Sequence, residues 1–144
     1  MASDFSIRVI DSDDENDTNL LRVLAEQLHV YHRLATHGEF QQLSVMLNND
    51  VEEIKGGILA YTHGIWLDIE FVWVADSYRR NKHGSQMLNA VELKAQSRGC
   101  KRVYLDTGAS TAKSFFEACG YTICGEIPCY KDEDSRYWMC KEFV

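Results

Sequence analysis

Apolar and polar positions change period several times along the chain, and each change marks an element. Phe5 to Ile10 alternates, which predicts a first strand. The acidic run from Asp11 ends in Asp17 and Thr18, both suited to cap a helix. Leu20, Leu24, Leu28, Tyr31 and Ala35 then recur on one helical face, and Gly38 is placed to end it. Leu43 to Leu47 and Ile54 to Tyr61 read as two strands joined across Asn48-Asn49-Asp50. His63-Gly64 marks a further turn. Ile65 to Ala75 is a long, heavily apolar strand, which places it centrally. Gly84 to Arg98 returns to helical spacing, with Leu88, Val91 and Ala95 on one face, Met87 and Ala90 beside it, and Gly99 at the C-cap. Val103 to Leu105 is a short buried strand, Asp106 to Ser110 a loop, and Lys113 to Cys119 a short helix closed by Gly120. Tyr121 to Ile127 and Tyr137 to Phe143 read as the last strands, with a charged loop from Lys131 to Arg136 between them.

The order strand-helix-three strands-helix-strand-helix-two strands implies one mixed α/β sheet. Hairpins in the first half give antiparallel pairing; strand-helix-strand in the second half gives local parallel pairing. A chain of 144 residues with 45% hydrophobic residues suits a single domain spanning 1–144. No apolar run approaches a membrane span. MASDFSIRVID lacks the charged-then-apolar layout of a secretory signal, so a cytoplasmic location is expected. The formal net charge of −7 disfavours nucleic acid and anionic membrane as targets and suits a cationic ligand. Five cysteines, none in C-x-x-C spacing, give neither a disulfide framework nor a zinc site, and most are expected as small buried apolar residues. No metal is expected; His29 and His32 share a helix face without a carboxylate or cysteine partner.

Against this acidic background, Arg79, Arg80, Lys82 and His83 crowd a strand-to-helix turn just before Gly84 and Ser85. A helix start offers free N–H groups and the positive end of its dipole. With the added cations, the turn is a seat for a pyrophosphate. It lacks G-K-[ST] and G-x-G-x-x-G, so it is neither the nucleotide P-loop nor a dinucleotide fingerprint.

Arg79-Arg80-Asn81-Lys82-His83-Gly84 resembles the Q/R-x-x-G-x-G/A loop of the GNAT family of acetyl-CoA-dependent N-acetyltransferases, matching at the Arg and at the second Gly. Lys82 stands at the first glycine, so either it adopts a backbone conformation usually left to glycine or the turn shifts. Leu105 to Tyr130 resembles the family's second cofactor segment, and Ser135 to Phe143 the last strand of its small bacterial members. The resemblance implies a mixed, largely antiparallel sheet flanked by helices, with the fourth and fifth strands parallel and splayed. It implies acetyl-CoA as donor. The main chain of Val72, Trp73 and Val74 would pair with the pantetheine arm, N–H groups from Arg80 to Ser85 would hold the pyrophosphate with help from Arg79, and Lys113 and Phe116 would lie near the thiol end or the pantetheine.

Transfer to an amine needs a base, a donor for the thioester oxygen and a proton for the leaving thiolate. Asp68 and Glu70 are two apart in the long strand and so share a face. Glu70 is favoured as base, with Asp68 as base or amine anchor. The Val74 N–H, at an expected bulge, is the oxyanion donor. The family's usual helix phenol is replaced in the pair Phe115-Phe116; Tyr121 and Tyr130 are the alternative proton donors, with Tyr121 also suited to the core. Tyr31, His32 and His37 would shape the acceptor pocket. The implied acceptor is a small-molecule or peptide amine of cationic character, attacked directly in a ternary complex, and a homodimer through the last strands would fit the family. The competing reading is a catalytically degenerate acyl-CoA sensor or regulatory module, motivated by Lys82 and Phe116.

Overall fold

A computed structural model of the chain describes residues 5–35, 40–108 and 110–144, without the side chains of 32–35 and 129. The chain divides into two compact units, 1–38 and 39–144. Among the described residues, no helix is long and apolar enough to cross a membrane.

The first unit holds α1, Thr18–Ala35. Asp17 caps it: its carbonyl accepts from the Leu21 N–H at 2.9 Å, opening the helical hydrogen-bond series. The expected strand at Phe5 to Ile10 does not form. Phe5, Ile7 and Val9 are 85%, 92% and 88% exposed. Alternation makes a strand only where a neighbour takes up the backbone groups, and residues 5–10 have no ladder partner among the described residues. The segment is tied to the helix start instead. The Arg8 guanidinium pairs with the Asp17 carboxylate, which also accepts the Asp11 N–H at 3.1 Å.

The second unit contains β1 (Gln41–Asn48), β2 (Ile54–His63), β3 (Trp66–Val74), a 3₁₀ turn (Asp76–Tyr78), α2 (His83–Ser97), β4 (Arg102–Thr107), α3 (Ser110–Ala118), β5 (Thr122–Lys131) and β6 (Asp134–Glu142). Its sheet runs β1-β2-β3-β4-β6-β5, with β3 and β4 parallel and the other neighbours antiparallel. This is the mixed, largely antiparallel sheet expected, with six described strands rather than seven. The segment expected as a loop from Lys131 to Arg136 is mostly strand. Lys131 pairs with Asp134, which leaves Asp132 and Glu133 at the tip, Asp132 with φ 54°. Exposed strand ends carry charge without cost, so charge does not mark the boundary.

One face of the sheet carries the core. Ile58, Ala60, Leu67, Ile69, Val103, Leu105 and Met139 pack with Met87, Leu88, Val91 and Ala95 of α2 and Phe116 of α3. Ala90, expected beside that face, is exposed; Glu92 is buried in its stead. The Glu92 carboxylate is balanced there by the Tyr121 hydroxyl at 2.7 Å and the Lys141 ammonium at 2.9 Å. Of the four described cysteines, all free, Cys100 alone is fully buried, fewer than expected.

Two irregularities in β3 position the site. Its register with β2 runs from Gly56↔Val74 to Leu59↔Phe71 and resumes at Ala60↔Ile69, leaving Glu70 as an extra residue. Such a bulge bends the strand and shifts the alternation. Leu67 and Ile69 before it, and Val72 and Val74 after it, therefore all reach the core face. Asp68, Glu70, Phe71 and Trp73 face the opposite side. The second irregularity is a fork. β3 pairs with β4 only from Trp66↔Arg102 to Ile69↔Leu105, and beyond that point the two strands separate.

Candidate active site

The fork opens into a cavity of about 1110 Å³. Its walls are the C-terminal halves of β3 and β4, the turn and first residues of α2, one side of α3, and Arg136 from β6. Glu70, Val72, Trp73, Val74, Arg79, Arg80, Lys82, His83, Gly84, Ser85 and Phe116 are all on the wall. These residues, singled out in the sequence, are brought together by a single feature, the parting of two parallel strands.

The edge that β3 turns to the fork follows from its ladder with β2. The Ala75 N–H donates to the Lys55 carbonyl at 2.7 Å, so those two residues form a closely bonded pair. Antiparallel ladders alternate. The next pairs, Gly56↔Val74 and Ile58↔Val72, therefore point their main-chain groups away from each other, which for Val72 and Val74 is toward the fork. The Trp73 main chain is used in the ladder with Gly57, and its side chain is half-exposed on the wall. The bulge expected at Val74 lies at Glu70 instead, because it is set by the pairing with β2.

At the loop, Lys82 has φ 63° and ψ 12°, the left-handed conformation that was one of the two outcomes its place in the motif allowed. Arg80 is also left-handed, at φ 64°. Such a conformation costs a non-glycine residue about 1–2 kcal/mol. Lys82 precedes α2 without capping it by its side chain; its carbonyl accepts from the Gln86 N–H at 3.0 Å and the Ser85 hydroxyl at 2.9 Å. The first N–H groups of α2 have no intrahelical acceptor, and His83, Gly84 and Ser85 present that end to the cavity. Gly84 is required for close approach: a Cβ there would lie 3.0 Å from the Phe115 ring. The cations are not equivalent. Arg79 donates through Nε to the Val74 carbonyl at 2.9 Å and pairs with Asp76 at 2.9 Å. Arg80 and Lys82 have no ion-pair partner among the described residues and are exposed.

On the open face of the sheet, Asp68 stands beside Tyr104, its register partner on β4. The Tyr104 hydroxyl neighbours the Asp68 carboxylate and lies 3.3 Å from His63 Nε2. Burial pushes the Asp68 carboxyl above its ordinary value; the Tyr104 hydrogen bond and nearby His63 pull it back in part, and Asp106 adds to the rise. Tyr104 is held as a neutral phenol, pushed up by burial and then by the charge of Asp68. Glu70 is exposed on the cavity wall.

The remaining expectations resolve differently. Tyr121 is 2% exposed, off the cavity wall, with its hydroxyl on Glu92; burial first and that bond second push its phenol well up. It is a core residue. Tyr130 is half-exposed, with its ring 4.9 Å from the Arg136 guanidinium, and it borders Gly108 on the wall. Lys113 pairs with Glu117 at 3.4 Å, lies over Tyr137, and is off the wall, as are Asn81 and Asp68. Tyr31 belongs to the first unit; His37, Gly38 and the side chain of His32 lie outside the described residues. No group of metal-ligating side chains assembles among the described residues.

Among the wall and neighbouring residues that the sequence did not assign to the site are Tyr104, Asp106, Phe115 and Arg136. Asp106 and Arg136 form an ion pair across β4 and β6 at the far end of the cavity. The alternation Val103-Tyr104-Leu105-Asp106 carried a signal, since it sets Tyr104 and Asp106 on the face opposite the core. Only the registers with β3 and β6 show what they stand beside.

A model of the acetyltransferase (GNAT) family matches residues 11–121. Acetyltransferase Atu2258 of Agrobacterium fabrum is 27% identical over 132 residues, covering 90% of this chain and 96% of that protein. A crystal structure from Agrobacterium tumefaciens, named for an acetyltransferase, superimposes with a TM-score of 0.80 at 23% identity, over 97% of this chain and 99% of the other. Another, from Bacillus anthracis and named for a streptothricin acetyltransferase, was solved with acetyl coenzyme A. It has a TM-score of 0.65 at 19% identity, over 72% of this chain and 64% of the other.

Proposed function

The chain belongs to the acetyltransferase (GNAT) family, whose donor is acetyl-CoA, and we propose that it moves the acetyl group onto a primary amine by direct attack within a ternary complex. The acceptor is a cationic small molecule or peptide. The observation that carries this reading is the fork. It joins a cation-rich helix start to a strand edge with outward main-chain groups, and that edge leads to Glu70 on the wall, with Asp68 two residues back on the same face.

The residues present fit the donor. Arg80, Lys82 and the first N–H groups of α2 suit a pyrophosphate, and the outward main chain of Val72 and Val74 suits an amide-bearing arm added as a strand. Acetyl-CoA supplies an acetyl group activated as a thioester. The Val74 carbonyl is occupied by Arg79, so Arg79 shapes the strand edge and Arg80 with Lys82 supplies the charge. Val74 sits next to the loop. Val72, two residues nearer the point of the fork, is therefore the better donor to the carbonyl oxygen, and Val74 serves the arm.

The two carboxylates divide the remaining work. Glu70, exposed on the wall, anchors the acceptor's ammonium group. Asp68, whose carboxyl burial raises above its ordinary value, takes the proton. This reverses the order favoured from sequence. Of the two tyrosines considered for the leaving thiolate, Tyr130 borders the cavity and is assigned that role.

Calorimetric titration with acetyl-CoA, paired with release of free thiol in the presence of a panel of primary amines, tests the reading. Arg80→Ala/Lys82→Ala is expected to weaken binding about 10–100-fold, as for loss of two charge-assisted contacts. Absence of acetyl-CoA binding would overturn the reading. Binding without transfer to any amine would favour an acyl-CoA-binding module.

A further inference from the structure

Asp68, Tyr104 and His63 come from three adjacent strands and meet on the sheet face away from the core. Tyr104 is the register partner of Asp68 on the neighbouring strand, and its hydroxyl lies 3.3 Å from His63 Nε2. Rings pack against two of the three. The His63 ring stacks on Phe40, with centroids 4.5 Å apart and 8° between planes. Tyr104 meets Trp66 edge-on at 5.6 Å. The line begins beside Glu70, at the point of the fork, and ends at His63, which is partly exposed at the end of β2. Among the described residues, other ionisable groups on this face are Tyr61 on β2, Glu70 on β3, Arg102 and Asp106 on β4, the last neutralised by Arg136 of β6, and Cys140, the β6 partner of Tyr104.

A phenol has one proton to give. With Asp68 ionised, Tyr104 donates to the carboxylate. With Asp68 protonated, the carboxyl donates to the phenol oxygen and the hydroxyl turns to His63. The hydrogen bonds can therefore run in either direction, and reversing them carries a proton from one end to the other.

We propose that Asp68, Tyr104 and His63 are a proton exit for acetyl transfer, which takes the proton of the acceptor's ammonium group away from the fork and delivers it to water. This rests on the transfer reading above. In the first step an N–H bond of the ammonium breaks and an O–H bond forms on Asp68, leaving a neutral amine. In the second, the Asp68 proton passes to the Tyr104 oxygen as the tyrosine's own proton passes to His63 Nε2. The carboxylate is restored, the phenol stays neutral, and the imidazole, which starts in the Nδ1–H form, becomes imidazolium. In the third, His63 releases a proton to solvent. Tyr104 and His63 thus act through Asp68 and are positioning and relay residues. Glu70 stays in place as the ammonium anchor.

The test uses the full chain with Tyr104→Phe and His63→Ala. Each is expected to lower kcat about 10–100-fold, within the usual range for proton-transfer groups, with acetyl-CoA affinity and amine KM little changed. Added imidazole is expected to restore turnover to His63→Ala but not to Tyr104→Phe, a distinction that a purely structural role would not produce. Unchanged kcat in both variants, or a loss in His63→Ala that imidazole does not relieve, overturns the relay while leaving acetyl transfer intact. If the unmodified protein transfers to no amine, the reaction reading itself falls. The Asp68 carboxyl titration, followed by NMR without any ligand, then decides the relay. It rises in Tyr104→Phe and in His63→Ala if the three are coupled, and stays put in both if they are not.

Discussion

Two carboxylates on opposite faces of this sheet are built from similar parts and behave differently. On the core face, Glu92 meets the Tyr121 hydroxyl at 2.7 Å and the Lys141 ammonium at 2.9 Å. Lys141 also donates to the Cys119 carbonyl at 3.1 Å and lies over the Tyr121 ring. That set joins α2, β6 and the segment after α3, and its charge is balanced. On the open face, Asp68 also meets a tyrosine, but behind the tyrosine stands an imidazole rather than a lysine, and burial raises the carboxyl. A permanent cation turns a buried carboxylate into a structural tie. A titratable ring behind a phenol leaves it free to gain and lose a proton. The comparison explains why Tyr121, attractive as a proton donor from sequence, is a core residue.

The comparison breaks most visibly at Lys141. Lys141→Met leaves Glu92 buried without its cation, and the fold is expected to lose about 3 kcal/mol. For a chain of this size that lowers Tm by roughly 6–12 °C. Thermal unfolding measures this, and acetyl-CoA affinity should not change. Tyr121→Phe removes one bond to a charged group and is expected to cost about 1.5 kcal/mol with kcat unaltered. A tenfold fall in kcat would instead return Tyr121 to the reaction.

The smallest effect concerns pH. The folded-state value of Asp68 lies above its ordinary 3.8, so the native state holds this proton more tightly than the unfolded chain does. Its contribution to stability is therefore complete below that ordinary value and is lost as pH rises through the raised one. Asp68→Asn keeps an acceptor for Tyr104 and removes the charge. Its Tm should match that of the unmodified protein in acid and exceed it at neutral pH. A gap that closes as pH rises would reverse the sign of the account.

Much of this was legible in the residues. The period changes gave α2, α3 and the long strand β3. The crowding of Arg79, Arg80, Lys82 and His83 before Gly84 marked the cavity's loop, and a lysine at a glycine position left two outcomes, of which the left-handed backbone is the one found. The two-residue spacing of Asp68 and Glu70 gave their common face. What escaped was set by pairing between distant segments. The bulge at Glu70 depends on β2, the placement of Tyr104 beside Asp68 on the β3–β4 register, and the Asp106–Arg136 pair on β6 lying next to β4. Arg79 looked like its two basic neighbours, and only the folded chain shows that it is tied to the Val74 carbonyl. Phe5 to Ile10 had a strand's pattern without a partner to make it one.

The central claim is that Asp68, not the balanced Glu92, is the carboxylate that handles the proton of an acceptor amine. The most direct test is acetyl transfer to a primary amine by the unmodified protein and by Asp68→Asn, with acetyl-CoA saturating in both. The account predicts a fall of about 10²–10⁴ in kcat with acetyl-CoA affinity preserved. Equal rates in the two proteins would contradict it.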